Sequence, residues 1–263
     1  MPLSTGLIFW PIVAGIGSSF AQAETRGAVS RCLHEPIGTG TVSSILDGRT
    51  VLLADGRELR LAGIEVPQAN AGSAASAALR ALVESAEITL KGPSFVDRYG
   101  RLVAHIFVVR EGSEQAVAQS MLASGLAWVS PTVDTTCAAG LFASERSARR
   151  DKLGLWGDPY YEIRGADSPD TISERRGIFT LVEGKVVSVR ESGGTIYVNF
   201  GRRWSEDFTV TLQKRNERSF ADAGVEPKKL EGRRVRVRGW IEKRGGPWIE
   251  AQRPAQIEIV DGN

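Results

Sequence analysis

The stretch Leu46-Asp47-Gly48-Arg49-Thr50-Val51, followed by Leu59-Arg60-Leu61-Ala62-Gly63-Ile64-Glu65-Val66-Pro67-Gln68, decides the architecture of the first half of this chain. Asp47-Gly48 and Asp55-Gly56 are tight-turn dipeptides set between alternating apolar residues, so residues 39–63 read as three antiparallel strands. A helix follows, with Ser73 as its N-cap and Leu79, Leu82 and Val83 as its apolar stripe. Residues 88–90 and 102–109 read as two more strands. Residues 113–124 read as a helix that turns Val117, Met121 and Leu122 inward and stops at Gly125. A third helix is expected over 141–152, ended by Gly154. The predicted fold class is mainly β with α: five strands with inserted and appended helices follow the order of an OB-type Greek-key barrel.

Farther along, residues 162–176 are polar, contain Gly165 and Pro169, and read as a linker. Strands are expected over 179–189, 195–200 and 208–212, then a short helix over 215–223. Strands over 233–243, 247–251 and 257–260 complete the set, with Gly245-Gly246 as a hairpin turn. This is again the OB order, so a second OB-like β-barrel is expected. The predicted layout is a signal peptide over 1–23, a first domain over 24–161, the linker, and a second domain over 177–263.

Composition sets limits rather than a function. The 263 residues are 42% hydrophobic with a net charge of +2, an ordinary globular balance too small to name a partner. Residues 24–163 carry 14 Lys/Arg against 16 Asp/Glu, whereas residues 164–263 carry 19 against 15, so the basic excess lies in the second domain. The apolar run from Leu7 to Phe20, ending in Ala21-Gln22-Ala23, reads as an export signal cut before Glu24, although no Lys or Arg precedes it. The protein is therefore expected to be periplasmic or secreted, with no stable membrane span once the signal is removed. The two cysteines, Cys32 and Cys137, suit a disulfide in an oxidising compartment, worth about 4 kcal/mol in the chain-entropy picture, or two separate buried thiols.

Together with Asp97-Arg98-Tyr99-Gly100-Arg101, Gly125-Leu126-Ala127 and the run from Ser144-Glu145 to Leu155-Trp156, the opening strands resemble the thermonuclease (staphylococcal-nuclease-like) family over about residues 39–156. The resemblance implies that Arg60 and Arg101 grip the scissile phosphate, a task suited to a planar, permanently charged guanidinium. It implies that Tyr99 flanks the substrate. It also implies a calcium site, and there the chain departs from the pattern. Arg49 stands where the family has a metal-binding aspartate, and Glu65 stands where it has a second. Gln68 replaces the water-activating glutamate and has no charge with which to take a proton. Asp47 is a further candidate ligand, or simply the first residue of a turn. Arg49 is expected to pair with Glu65 or with a bound phosphate.

In the second domain Arg234, Arg236, Arg238 and Trp240 alternate with Val235 and Val237. One strand face therefore offers cations and an indole to an anionic polymer, or it is a solvated exterior paired with glutamates. His105 reads as a packed core or surface histidine on its strand. The leading expectation is an exported protein that binds nucleic acid or another phosphate-rich polymer, with phosphodiesterase activity weak or lost and no cofactor. One alternative is an active metal-dependent nuclease, with calcium on Glu65, Asp47 and a backbone carbonyl. Another is a non-catalytic envelope protein that uses its barrels for protein contacts.

Overall fold

The computed structural model describes residues 34–68 and 71–260. The expected export signal and the Cys32 end of the expected disulfide lie outside these residues. Cys137 is buried and carries no free thiol.

The first unit comprises β1 (Pro36–Asp47), β2 (Thr50–Leu53), β3 (Glu58–Leu61), β4 (Ile64–Glu65), α1 (Ala71–Val83), β5 (Glu87–Val96), β6 (Leu102–Arg110), β7 (Ser113–Ala116), α2 (Val117–Ala123), β8 (Trp128–Val129) and α3 (Thr135–Arg150). The large sheet runs β3-β2-β1-β5-β6-β7, and an extra β3–β6 pairing closes five strands into a barrel. Closure depends on the length of β1. Its residues 42–47 pair with β2 and its residues 36–41 with β5, across irregularities in register that bend the strand. Val51, Leu59, Leu90 and Ile106 fill the barrel and meet Leu79 of α1 and Met121 of α2.

Three boundaries differ from expectation. Helix α1 begins at Ala71, so Ser73 lies within its first turn rather than capping it. Ser113–Ala116 is a strand rather than the first helical turn, because Glu111 and Gly112 both take positive φ and fold the chain back onto the edge of β6. Helix α3 begins at Thr135, well before Leu141, because Asp134 caps it: Oδ1 accepts from Thr136 N at 3.0 Å and Cys137 N at 3.1 Å.

The second unit comprises β9 (Arg164–Gly165), α4 (Pro169–Ser173), β10 (Phe179–Lys185), β11 (Ser188–Ser192), β12 (Thr195–Asn199), β13 (Thr209–Gln213), α5 (Glu217–Asp222), β14 (Arg234–Trp240), β15 (Glu242–Arg244), β16 (Gly246–Glu250) and β17 (Ile257–Ile259). Its pairing gives two sheets, β17-β14-β10-β9 and β11-β12-β13-β16-β15, rather than one continuous ladder. The chain changes sheet at Val186 and Val187, whose N–H groups donate to Arg233 O (2.9 Å) and Asn199 O (2.8 Å) respectively. Both sheets share a core that includes Phe208, Phe220, Ile196 and Val237. The expected linker is partly built into this unit, since β9 pairs with β10 and Ile172 of α4 is wholly buried.

The units are joined by an apolar cluster of Trp128 and Leu155 from the first with Phe179 and Leu181 from the second. Beside it, Arg238 of β14 enters the first unit. Its Nη1 and Nη2 donate to the two oxygens of Glu145 on α3 at 2.8 and 2.9 Å, and Nη1 also donates to Val129 O at 3.2 Å. Glu258 of β17 holds Nη2 from the other side. Both Arg238 and Glu145 are fully buried.

Candidate nucleic-acid interface

The alternation of β3 places Leu59 and Leu61 in the barrel and Arg60 on the outer face, between β2 (Thr50↔Arg60) and β6 (Arg60↔Val103). Half-buried there, Arg60 makes no hydrogen bond or ion pair with any described residue. Burial, and then the nearby Arg49 cation, push its guanidinium below its ordinary range, against a smaller opposing pull from Glu65. A half-buried cation with no counter-ion among the described residues suits an anionic ligand.

Arg101 stands opposite Arg60 at the end of a built turn. Asp97 Oδ1 accepts from Tyr99 N at 2.9 Å and Arg101 N at 3.1 Å, and Gly100 supplies the φ of +84° that lets the chain reverse. Asp97 Oδ2 then takes the Arg101 side chain at Nε (2.9 Å) and Nη2 (2.7 Å). Arg98 and Arg101 each lie 4.9 Å from the Tyr99 ring centroid, and the ring itself is exposed. Burial alone would raise the Asp97 carboxyl, but the Arg101 side chain and the two backbone N–H groups outweigh it and hold the group below the ordinary 3.8. The sign follows: stability from this turn is complete above that ordinary value and is lost as pH falls through the lowered one. Asp97→Asn should therefore be less stable than the parent in urea unfolding near pH ~7, and the difference should close in strong acid.

The positions implied to bind calcium are otherwise engaged. Arg49 lies in the β1–β2 turn, held against α1 because Gly48 leaves no Cβ to strike Ala75 at 2.8 Å. Arg49 Nη1 donates to Ile64 O at 3.0 Å and makes a close ion pair with Glu65 Oε2. Glu65 Oε1 accepts from Ser130 Oγ at 3.1 Å. Asp47 caps its own turn, accepting from Arg49 N at 2.8 Å and Thr50 Oγ1 at 3.0 Å. A calcium ion needs several oxygen donors, preferably anionic. The one buried carboxylate in this place is already neutralised by a guanidinium, so the donor set does not fit calcium. Gln68 is exposed on the rim, where an amide can orient a water but cannot deprotonate it.

Arg49, Arg60, Tyr99 and Arg101 line two adjoining hollows of about 350 and 510 Å³. The smaller reaches Asp134 and Trp240, the larger Asp47 and Gln68. Trp240 is therefore a wall of the same cleft, supplied by the second unit. It packs edge-on against Phe179 at 5.1 Å yet remains 44% exposed, a surface on which a base can stack.

The arginines next to Trp240 correct the expected substrate face. Arg238 is buried between the units and unavailable to a polymer. Arg236 is tied to Glu183 at 2.6 Å and lies 3.7 Å from Glu258, while Arg234, more exposed, also pairs with Glu183 at 2.7 Å. The alternation is as expected, but the face is occupied by carboxylates and by the first unit. The signal for this was Glu145, a carboxylate on the apolar stripe Leu141, Glu145, Ala148 of α3. A second pairing escaped sequence reasoning altogether: His34 and His105 come together on Asp134.

A small closed barrel with arginines on β3 and just before β6 lining one cleft is a scaffold of the nuclease type. Residues 58–158 match the family model described as staphylococcal nuclease homologue. A protein of Shigella flexneri described as a micrococcal nuclease is 32% identical over 130 residues, which cover 46% of this chain and 74% of that protein. The chain belongs to the staphylococcal-nuclease-like family.

Proposed function

We propose that this is an exported protein that grips the phosphates of a single-stranded nucleic acid, or of another phosphate-rich polymer, and has lost most of the cleavage chemistry of its family. One observation carries the proposal: the Glu65 carboxylate is closed off by Arg49 and Ser130, while Arg60 stands in the cleft with no partner among the described residues. A phosphate placed between Arg60 and Arg101 relieves the mutual repulsion of the guanidiniums and gains charge-assisted hydrogen bonds. Hydrolysis would further need a positioned water and a group able to take its proton. Gln68 can orient a water but cannot take its proton, and Glu65 is already engaged by Arg49 and Ser130. Export is inferred from the apolar run at 7–20 and the small residues that follow it.

Fluorescence anisotropy with labelled single-stranded DNA and RNA tests this on the full chain. Binding should weaken steeply with salt, and no cleavage should appear with added calcium. Arg60→Ala should weaken binding about tenfold and lower the salt slope by about one. Trp240→Ala should cost about 1–3 kcal/mol of affinity with little change in salt slope, because a stacking surface rather than a charge is removed. Calcium-dependent, chelator-sensitive degradation by the unmodified protein would overturn the proposal. Absence of binding even at low salt would favour a protein-contact role in the envelope.

A further inference from the structure

We propose that His34, His105 and Asp134 form a binding site for a borderline divalent cation of the Zn²⁺ type, separate from the position where the family resemblance implies calcium. The chain has two histidines, far apart in sequence, and both converge on one carboxylate. His34 Nε2 lies 3.1 Å from Asp134 Oδ1, and His105 Nε2 lies 2.9 Å from Asp134 Oδ2. The rings are stacked, with centroids 5.6 Å apart and planes 18° apart. All of these donor atoms lie within 4.8 Å of one another.

Helix capping explains only part of this cluster. Asp134 Oδ1 serves the backbone of Thr136 and Cys137, as any N-cap does. Capping requires neither a buried imidazole on Oδ2 nor a second imidazole stacked on the first. Two ligands at about 2.0–2.1 Å from a tetrahedral zinc are roughly 3.3 Å apart. The observed nitrogen–oxygen separations need to open by only a few tenths of an ångström to admit the ion. Imidazole donors select Zn²⁺, Ni²⁺ or Cu²⁺ over Ca²⁺ and Mg²⁺, which favour oxygen. The Cys137 sulfur lies in the same cluster but is not a free thiol, so it does not complete the set as a thiolate. That leaves three protein ligands and a fourth position for water or an anion, the arrangement of an open zinc site. Asp134 also lines the cleft that holds Arg60 and Arg101.

Isothermal titration of the metal-stripped full chain with ZnCl₂, with CaCl₂ as the comparison, tests the site. The expected result is one Zn²⁺ per chain with a dissociation constant of about 10 µM or tighter, corresponding to roughly −7 kcal/mol, and at least tenfold weaker calcium binding. His34→Ala, at a half-exposed position, and His105→Gln, inside the fold, should each weaken Zn²⁺ binding at least tenfold. Co²⁺ substitution should give the visible absorption of a four-coordinate nitrogen–oxygen site, and His34→Ala should abolish it. Zn²⁺ binding that survives His34→Ala, calcium binding of equal strength, or no Zn²⁺ binding at micromolar concentration would each overturn the proposal.

Discussion

Arg238→Ala should lower the thermal midpoint by about 6–20 °C, the largest stability change expected of any single substitution in this protein. Removing one partner of a buried ion pair costs about 3–5 kcal/mol, because the remaining charge is left desolvated and unpaired. Here that charge is Glu145, fully buried, whose other contacts are the Val129 N–H at 2.6 Å and Arg149 at 3.5 Å. A cost of that size moves the midpoint of a chain this long by roughly 2–4 °C per kcal/mol. Arg238→Met combined with Glu145→Met should recover part of the loss, since an apolar pair of similar bulk removes both desolvation penalties. Recovery should be incomplete, because the Val129 N–H loses its acceptor. Differential scanning calorimetry on the parent, both single variants and the double variant checks the whole cycle. Equal midpoints for parent and Arg238→Ala would mean that the two units are joined by the Trp128–Phe179 cluster alone.

Arg49→Asp combined with Gln68→Glu should create calcium-dependent cleavage of single-stranded DNA at least about 100-fold above the parent, the scale on which a positioned general base operates. The first change removes the guanidinium that closes Glu65 and adds a second carboxylate beside it. The second supplies a group on the rim that can accept the proton of a water. Arg60 and Arg101 are untouched, so the phosphate contacts are kept, while the negative charge added to the cleft should weaken polynucleotide binding when calcium is absent. Adding Arg60→Ala to the double variant should remove the new activity. A double variant that binds polynucleotide as the parent does, yet neither cleaves it nor binds calcium, would show that the cleft geometry has moved beyond repair by side chains alone.

The barrel and its arginines were legible because they rest on local rules. Turn dipeptides set the hairpins, alternation set the face of Arg60, and Asp97 with Gly100 set the turn that carries Arg101. Pairing of Arg49 with Glu65 was expected as one of two outcomes, from charge alone. What was not legible depends on long-range packing. Nothing near Arg238 in sequence reports that α3 lies over it, so a strand face read correctly as arginine-rich was expected either to meet a polymer or to be a solvated exterior paired with glutamates. The start of α3 was missed because its apolar stripe begins only at Leu141, while the cap that nucleates it is polar. The two histidines gave no spacing signal, because tertiary folding brings them together from β6 and from the residue before Glu35 and β1. Residues 162–176 read as a linker because a two-residue strand and two buried residues, Ala166 and Ile172, leave almost no periodicity.

The clamp on Val129 has a consequence for how this protein can be divided. Strand β8 pairs Val129 with Ile64 and Trp128 with Glu65, so the backbone that Arg238 and Glu145 secure is the one that braces the altered centre. A fragment ending near residue 161 would lose the guanidinium that neutralises Glu145, the indole wall of the cleft and half of the apolar seam. Such a fragment would keep every residue of the family signature and still be a different molecule. The tail half behaves less as cargo appended to a finished barrel than as the missing side of its mould.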